Sequence, residues 1–469
     1  MKVLTAPATP TTAAKAMAEM KTIPTAPAAI LARAAAAIPA AATLAVTVVE
    51  KLPAVIPAEK PPNKIEFVQP QKEAQQLKWC ASFFKNHLLK TERNTTMQHT
   101  FWMCCPCHFG LEHTLHFELK KLGAEQIQVQ DGRILFRGDY HLLAMANLCL
   151  STAERVLIQL GSFPAYNFEE LFQGMKKLPL EEWIGKDDAF PVKGHALDSK
   201  LHSVPDCQSI LKKAAVERLR QKYQTSWFSE SGAVHQIQFS IRKNIATIYL
   251  DSSGVGLHKR GYRRNANAAP IKETLAAGIV DLARVKQNSV VCDPFCGSGT
   301  LLIEAAFKAM HIAPGLHRHF AAERWDCIPA SVWANARAEA IAAIRRDTTF
   351  EAYGFDCDPE AIRLSEENIR KAGVKTRIHV IQQDIADFTA VPEQIIICNP
   401  PYGERLLDVQ AAESLYQIMG SVFPANKQYP CYVISPDANF ESFFGKPATK
   451  RRKLYNGMIP CQLFSYYGE

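Results

Sequence analysis

Aromatic residues are absent from the first sixty positions of this chain of 469 residues, a stretch rich in alanine, proline and threonine. Such a segment has few side chains with which to build a packed core, and its prolines interrupt any long helix. Its most apolar part, Ile30–Val49, is long enough to cross a membrane but is mostly alanine and contains Arg33 and Pro39. We therefore predict that residues 1–97 form a low-complexity, disordered extension and that the protein has no membrane partner.

Disulfide and metal-site patterns are also absent from the sequence. The 13 cysteines follow no regular spacing, and a chain of this length does not need disulfide bonds to fold. Neither the Cys104–Cys107 stretch nor the histidine-containing stretch His311–His319 has the paired ligand spacing of a structural zinc site. We therefore expect free thiols in a cytoplasmic protein that binds no metal.

Excess positive charge is largely confined to the same extension. The whole chain has 54 Lys and Arg against 46 Asp and Glu, and residues 1–97 hold 12 of the former and 6 of the latter. The remaining residues therefore carry 42 basic against 40 acidic side chains, which is close to neutral. Any contact with a nucleic acid has to come from local basic patches rather than from overall charge.

After the extension the sequence changes to short strands and amphipathic helices. Two strands flank Asp131-Gly132, which is a strong hairpin signal, and an apolar helix is predicted over Tyr140–Leu157. A second group of strands and helices follows and ends in a connecting helix. These patterns predict α+β units over residues 98–165 and 166–255, with a connector over residues 256–289.

Residues 290–469 alternate between apolar strands and helices. Continuous apolar strands separated by helices are typical of a parallel sheet that is buried on both faces. In such α/β sheets, ligands bind at the carboxyl ends of the strands. The residues that follow each strand are therefore the first candidates for a functional site.

The first strand of this part leads into a glycine turn and a helix, with the sequence DPFCGSGTLLIEAA. Gly297 and Gly299 allow the backbone to approach a ligand, and the helix presents its first amide groups. A third glycine of the dinucleotide fingerprint is missing, because Leu302 occupies that position. The carboxylate of Asp293 would repel a pyrophosphate, so a cationic ligand such as S-adenosylmethionine fits better.

Two further acids follow the next two strands. Asp356 is placed to accept hydrogen bonds from ribose hydroxyls, and Asp384 could accept one from the adenine amine. Asp356 lies farther from the glycines than the usual spacing, which predicts an insertion over residues 311–348. The predicted cofactor site comprises Asp293, Pro294, Phe295, Gly297, Gly299, Thr300, Asp356 and Asp384.

A fourth strand ends in the tetrad Asn399-Pro400-Pro401-Tyr402. The Asn399 side-chain oxygen and the Pro400 carbonyl can each accept one N–H of an aromatic amine and so direct its lone pair at a methyl group. The prolines stiffen the loop that holds these acceptors, and Tyr402 offers a ring for stacking an extruded base. We predict that all four residues are catalytic.

These motifs carry a resemblance to a known family. DPFCGSGTLLIEAA, NPPYGERL and the connector segments KRGYR and APIKETLAAGI resemble the THUMP-domain class I S-adenosylmethionine-dependent RNA methyltransferases, and in particular the bacterial branch that methylates guanine N2 in 23S rRNA. The resemblance implies a ferredoxin-like unit, a THUMP RNA-binding domain and a Rossmann-like methyltransferase domain over residues 290–469. It does not extend to residues 1–97.

Basic residues outside these motifs are candidates for binding RNA. They occur in a helix of the THUMP-like unit, in the connector and near the carboxyl terminus, where Lys450–Lys453 are consecutive basic residues. Each cluster alone is more often a solvated surface, but together they would suit a phosphate track. The predicted RNA-binding residues are Lys212, Lys213, Lys259, Arg260, Arg263 and Arg264.

Several functions remain open from the residues. The tetrad suits a guanine amine in rRNA or tRNA and equally an adenine N6 amine, and a non-catalytic RNA-binding assembly factor is a different class of alternative. A sulfur-transfer enzyme is disfavoured because no Ser-Gly-Gly-x-Asp loop occurs. The leading expectation is methyl transfer to guanine N2 of 23S rRNA.

Overall fold

The computed structural model describes residues 100–263, 271–402 and 409–468. The predicted disordered extension and its apolar stretch lie outside the described residues. Within the described ranges, no helix is long and apolar enough to cross a membrane. No three His, Cys, Asp or Glu side chains in those ranges converge as ligands for a metal ion.

The first part of the described chain is a mixture of short strands and helices. Its elements are β1 (Phe101–Pro106), α1 (Glu112–Lys121), β2 (Glu125–Gln130), β3 (Arg133–Gly138), α2 (Tyr140–Cys149) and β4 (Leu157–Pro164). The hairpin predicted at Asp131-Gly132 joins β2 to β3, which pair antiparallel. The side chain of Asp139 caps α2 by accepting a hydrogen bond from the Leu142 amide at 2.9 Å.

Helix α2 is shorter than the predicted helix over Tyr140–Leu157, which is wrong beyond Cys149. The reason is tertiary, because Ser151 and Thr152 turn aside to the half-buried side chain of Glu118. The Glu118 carboxylate accepts hydrogen bonds from both backbone amides and both hydroxyls. These contacts replace the helical ones, and the chain continues as strand β4.

The second part joins the first in a single sheet. Its elements are α3 (Phe168–Lys176), β5 (Val192–Leu197), α4 (Val204–Tyr223), β6 (Ile237–Arg242) and β7 (Ile245–Asp251). Strand β4 pairs antiparallel with β7, with Ile158 opposite Leu250, and the resulting strand order is β2-β3-β1-β4-β7-β6-β5. The two predicted α+β units therefore share a seven-stranded sheet, although the boundaries between them stay predictions.

The last part forms a second seven-stranded sheet. It comprises α5 (Glu273–Leu282), β8 (Val290–Asp293), α6 (Thr300–Met310), α7 (Ala330–Ala342), β9 (Glu351–Asp356), α8 (Pro359–Lys371), β10 (Ile378–Gln382), β11 (Ile395–Cys398), α9 (Val409–Val422), β12 (Cys431–Ser435), α10 (Phe440–Phe444), β13 (Lys450–Asn456) and β14 (Ile459–Tyr466). The strand order is β10-β9-β8-β11-β12-β14-β13. Strands β8 to β12 are mutually parallel, and β8, β9, β11 and β12 are largely buried, which confirms the predicted α/β fold class.

The direction of the chain across this sheet changes between β8 and β11. From β8 the chain proceeds outward through β9 to β10 and then returns to the other side of β8 as β11. The helices on either side diverge at such a switch point and leave a crevice at the carboxyl ends of the two central strands. Asp293 ends β8 and Asn399 directly follows β11, so both lie at this crevice.

The predicted insertion over residues 311–348 contains α7 and packs against the first sheet rather than the second. Trp325 is buried in the core cluster of the first sheet, and its ring stacks on His235 with 4.5 Å between centroids. Its indole nitrogen donates a hydrogen bond to the Val234 carbonyl at 3.0 Å. The insertion thereby attaches the methyltransferase-like part to the THUMP-like part.

Candidate active site

The glycine turn between β8 and α6 is an open backbone cradle. Gly297 and Gly299 have φ angles of +52° and +76°, in the left-handed region that favours glycine. A Cβ built on Gly297 would meet no heavy atom closer than the Phe295 carbonyl oxygen at 4.0 Å, so this position borders open space. The N-terminus of α6 follows directly at Thr300, as the sequence predicts.

Asp293 is the buried carboxyl group of this cradle. It is 1% exposed, and one of its oxygens accepts a hydrogen bond from the Phe295 amide at 3.1 Å. Burial raises the pKa of Asp293 to about 8, and the nearby Asp356 contributes to the same shift. A cation placed beside this carboxyl group would favour its ionised form.

Asp356 and Asp384 follow β9 and β10 at the same edge of the sheet. Asp356 accepts a hydrogen bond from the Gly297 amide at 2.9 Å, and burial raises its pKa. This bond connects the second predicted acid directly to the glycine turn. Asp384 is exposed and caps a short turn by accepting from the Ala386 amide at 2.9 Å, so one of its oxygens has a structural role.

Helix α8 holds the glycine turn through two residues that sequence analysis missed. The Ser365 hydroxyl donates to the Gly297 carbonyl at 2.7 Å, and the Asn368 amide donates to the Ser298 carbonyl at 3.0 Å. Both side chains are fully buried. Polar residues three positions apart on the otherwise apolar face of an amphipathic helix are a signal that could have identified them.

Asn399 presents an acceptor without a donor. Its side-chain oxygen is buried and accepts no hydrogen bond from any described residue. A buried acceptor in this state costs about 1–3 kcal/mol, and in native proteins such groups are rare. Asn399 directly follows β11 at the crevice, where the N–H of a bound amine could satisfy this oxygen.

Tyr402 is held in place by the hairpin of β13 and β14. Its hydroxyl accepts a hydrogen bond from the Asn456 amide at 2.7 Å, and its ring packs against the core of the sheet. Burial raises the pKa of Tyr402 well above its usual range, so the phenol stays neutral. Asn456 is a further positioning residue that the sequence did not single out. The residues that follow the tetrad, 403–408, lie outside the described part of the chain.

The strand register brings the two halves of the site together. Strands β8 and β11 pair in parallel with Cys292 beside Ile396, so Asp293 lies beside Ile397, two residues before Asn399. At about 3.3 Å per residue, the glycine turn and the tetrad are within reach of one small ligand and one base. The predicted acids, glycines and amide acceptor therefore lie along one edge of the sheet.

Comparison with known proteins identifies the family. Residues 260–465 match the UPF0020 family, described as an RMKL-like methyltransferase domain, residues 103–157 match the RlmL ferredoxin-like domain and residues 165–251 match the THUMP domain. The chain is 40% identical over 363 residues to a Bacillus subtilis protein named "Putative RNA methyltransferase YpsC", covering 77% of this chain and 94% of that one. The chain belongs to the RMKL-like methyltransferase family.

Two solved structures support the same assignment for this methyltransferase. The structure of SMU.472, described as a putative methyltransferase and complexed with S-adenosylhomocysteine, is 38% identical with a TM-score of 0.75, covering 80% of this chain and 99% of that one. A Listeria monocytogenes protein, described as a predicted N6-adenine-specific DNA methylase, is 41% identical with a TM-score of 0.75, covering 79% and 97% of the two chains. The THUMP-type class I methyltransferase expected from the motifs is thus confirmed.

S-adenosylmethionine is the cofactor of this methyltransferase, and the residues of the crevice fit it. The open space at Gly297 admits a ligand, and the buried carboxyl group of Asp293 suits a cationic one. Pro294 is buried and Phe295 half-buried at the turn, and Thr300 is buried at the start of α6. The individual contacts of these residues with the cofactor stay predictions.

The predicted RNA-binding residues differ in accessibility. Lys213 and Lys259 are exposed, whereas Lys212 is half-buried and pairs with Glu230 at 2.6 Å. Arg263 is largely enclosed, donating to the Thr300 hydroxyl and lying 3.7 Å from Glu273. Arg264 lies outside the described residues.

Arg260 requires a correction. It is 3% exposed, its guanidinium lies 3.4 Å from the carboxylate of Glu304 in α6, and it donates to the Leu257 carbonyl at 2.8 Å. A guanidinium enclosed in this way cannot reach a phosphate on the surface. The prediction that Arg260 binds RNA is therefore wrong, because sequence alone could not separate this buried ion pair from the exposed cations around it.

Proposed function

We propose that this methyltransferase transfers a methyl group to the exocyclic N2 amine of a guanine in 23S rRNA. The THUMP domain and the RlmL-type ferredoxin-like domain support RNA as the substrate, as does the relative named as an RNA methyltransferase. The resemblance of the long motifs to the guanine-N2 branch supports the base and the RNA. Such a substrate places the protein in the cytoplasm.

The unsatisfied oxygen of Asn399 carries the proposal of amine methylation. An aromatic amine is a poor nucleophile because its lone pair is delocalised into the ring. Hydrogen bonds from its two N–H groups to Asn399 and to the Pro400 carbonyl direct the lone pair away from the ring and toward the cofactor. Holding both reactants in this geometry can supply a large part of the reduction in the barrier.

The cofactor and the residues around the amine have separate roles in the transfer. When bound beside Asp293 and the glycine turn, S-adenosylmethionine would supply the methyl group from its sulfonium, and its sulfur would leave as a neutral thioether. Tyr402, fixed by Asn456, provides a flat surface against which the extruded base stacks. The buried Pro400 restricts the backbone so that its carbonyl keeps its direction. The methylated nitrogen then loses one proton to solvent.

Methylation of an adenine N6 amine is the second candidate. The same pair of acceptors fits that amine, and a structural relative is described as a predicted N6-adenine-specific DNA methylase. Mass spectrometry of nucleosides from RNA incubated with the protein and cofactor distinguishes the two products. N2-methylguanosine supports the proposal, and N6-methyladenosine would replace it with the second candidate.

Substitution of Asn399 tests the assigned role. We expect Asn399→Ala to lower kcat for methyl transfer about 100-fold or more, because the amine loses one of its two acceptors, while cofactor affinity measured by calorimetry is unchanged. Asn426→Ala, at an exposed asparagine before β12, is the matched control and should keep full activity. Normal turnover by the Asn399 variant would refute the role, and a wild-type protein without transfer to any RNA would favour a non-catalytic binding factor.

A further inference from the structure

A polar cleft lies where the ferredoxin-like part meets the second sheet. Its volume is about 480 Å³, and it is lined by helix α1, the end of helix α5 and strands β12 to β14. Leu111 at the start of α1 belongs to the same core cluster as α5, which attaches the two walls to each other. Clefts at such junctions between domains are common binding sites.

The cleft contains cations that have no acidic partner. Arg284 and Lys450 are exposed, and neither forms an ion pair with any described residue. Arg452 donates to the Gly110 carbonyl at 3.0 Å, which is a neutral partner. The carboxylate that lines the cleft, Asp281, is paired with Lys308. The described lining therefore has a surplus of positive charge.

The two strand cations point to the same side of the sheet. Lys450 lies opposite Ser465 and Arg452 opposite Leu463, and all four residues line the cleft. Arg451, between them, points the other way and pairs with Glu441. Charged side chains on an edge strand such as β13 also deter pairing with the strands of other chains. This role is sufficient to explain Lys450 and Arg452. It does not account for Arg284, which reaches the same cleft from the turn after α5.

Arg284 has an unusual backbone conformation. Arg284 directly follows Ala283, the residue that caps the C-terminus of α5. Its φ angle is +56°, at a position where glycine or asparagine is favoured. A cation beyond the end of a helix interacts favourably with the helix dipole, but that effect does not require the left-handed conformation. The position nevertheless carries an arginine, and its side chain faces the cleft beside Tyr432.

Aromatic rings lie beside these cations. Tyr467 stacks on Tyr432 with 6.2 Å between ring centroids and an angle of 30°, and Phe117 is 45% exposed in the opposite wall. His113 meets the Phe117 ring edge-on at 4.6 Å. Cations along a groove combined with exposed ring faces are the features by which proteins hold single-stranded nucleic acids.

The position of the cleft relative to the active site suits a continuous substrate. Tyr432 lies beside Ile397, two residues before Asn399, and Lys450 is on the edge strand beyond β12 and β14. Three strand spacings of roughly 4.8 Å separate β11 from β13, so the lateral distance between these two strands is on the order of 15 Å, and Lys450 is also displaced from the tetrad by about two residues along the strands. A single strand whose target base is extruded at Asn399 could therefore extend to the cleft.

We propose that this cleft binds the phosphodiester backbone of the RNA strand that flanks the target base, with Arg284 and Lys450 each contacting one phosphate. This inference rests on the proposed function, because it takes the substrate to be RNA. Arg452 contributes charge while holding the wall at Gly110, and the exposed rings accept the neighbouring bases. The cleft thus acts as a second RNA site outside the THUMP domain.

The test is the salt dependence of RNA binding by the full chain. Filter binding of radiolabelled ribosomal RNA fragments is measured over a series of salt concentrations for Arg284→Glu/Lys450→Glu. The matched control is Arg370→Glu/Lys375→Glu, two exposed cations at and after the end of α8 with the same change in charge. Each phosphate contact to a single strand contributes about 0.7 to the slope of log K against log salt, so two contacts contribute about 1.4.

We expect the cleft variant to bind RNA about tenfold more weakly and with a slope shallower by about 1.4, while the control keeps the wild-type slope. Equal slopes for the cleft and control variants would overturn the proposal. Arg284→Gln/Lys450→Gln, which removes charge without adding acid, repeats the measurement should the glutamate variant fail to fold. A glutamine variant with the same salt slope as the wild-type protein would likewise overturn the proposal.

Two further measurements separate this inference from its alternatives. Cofactor affinity and methyl transfer by the wild-type protein test the proposed function. If the wild-type protein transfers no methyl group but the cleft variant still binds RNA more weakly than the wild type, the proposed function is refuted and the RNA site is retained. Titration with AMP tests for a small ligand. The cleft would be assigned to a free nucleotide instead if AMP stabilises the wild-type protein but not the cleft variant, and if both proteins show the same salt dependence of RNA binding.

Discussion

The two sheets of this protein bury their strands differently. In the first sheet, the edge strand β2 is almost entirely exposed and the other edge strand, β5, alternates between half-buried and exposed positions, while the central strands β1 and β7 are mostly buried. In the second sheet, β12 is buried throughout, and β8 and β11 are buried at all but their first residue. The first sheet thus exposes its edge strands, and the edge strands β10 and β13 of the second sheet are also partly exposed, whereas its central parallel strands offer only their ends.

This difference teaches where each sheet can carry function. A parallel sheet covered on both faces can meet a ligand only at its strand ends, and the glycine turn, the acids and the tetrad all lie there. A sheet with one open face can bind an extended partner across its strands. The division suits a substrate that is held by one sheet and modified by the other.

The largest expected effect concerns the connection between the two parts. Arg260 pairs with Glu304 of α6 and donates to the Ser151 carbonyl beside the first sheet. We expect Arg260→Ala to lower the free energy of unfolding by about 3–5 kcal/mol, because it leaves a buried carboxylate without its partner. Urea denaturation measures the loss, and a change below about 1 kcal/mol would show that this pair does not stabilise the junction.

A paired substitution measures the contrast between a central strand of the second sheet and an edge strand of the first. Ile397 of β11 is fully buried, while Leu197 of β5 is 57% exposed. We expect Ile397→Ala to cost about 2–5 kcal/mol of unfolding free energy and Leu197→Ala to change it by no more than about 0.5 kcal/mol. Similar costs for the two substitutions in urea denaturation would erase the contrast drawn between the sheets.

A smaller effect is expected at the hairpin that supports the tetrad. Asn456→Ala removes the hydrogen bond to the Tyr402 hydroxyl and loosens the ring. We expect kcat for methyl transfer to fall about tenfold with cofactor affinity unchanged, since only positioning is lost. Tyr402→Phe removes the same bond from the other partner and should have a matching effect. A variant pair with clearly different kcat values would indicate a separate role for one of the two groups.

The smallest expected effect is the release of a proton from Asp293 when the cofactor binds. Because burial raises the pKa of Asp293 to about 8, this carboxyl group is mostly protonated at pH 7. A cationic cofactor beside it lowers that pKa again, so binding at pH 7 should release most of one proton, and release should vanish above about pH 9. Calorimetry in buffers of different ionisation heat measures it. Asp293→Asn should bind without this release, and equal release by both proteins would place the cation elsewhere.

Much of the second sheet could be predicted from the sequence because its signals are local. Apolar runs such as Ile395–Cys398 are typical of strands buried on both faces, and the glycine turn before α6 marks a strand-to-helix junction. The site residues at strand ends follow from these elements and from the rule for ligand position in α/β sheets. The unsatisfied acceptor at Asn399 is in the place that this reasoning indicates.

Other features could not be predicted because they depend on contacts between distant residues. The end of α2 is decided by Glu118, more than thirty positions from Ser151 and Thr152. The continuous first sheet depends on the pairing of β4 with β7, and Arg260 looks like an exposed cation until its contact with Glu304 is seen. Local pattern contains no information on such partners.

By itself, the sequence determined the class of enzyme: the glycine turn and the tetrad at strand ends indicate an S-adenosylmethionine-dependent methyltransferase. Only the tertiary structure decided which polar groups are free to take part, leaving the Asn399 oxygen without a donor while enclosing Arg260 in an ion pair. The physical reason is that a side chain's chemistry is intrinsic to it, whereas its hydration and partners are set by the residues that folding brings around it.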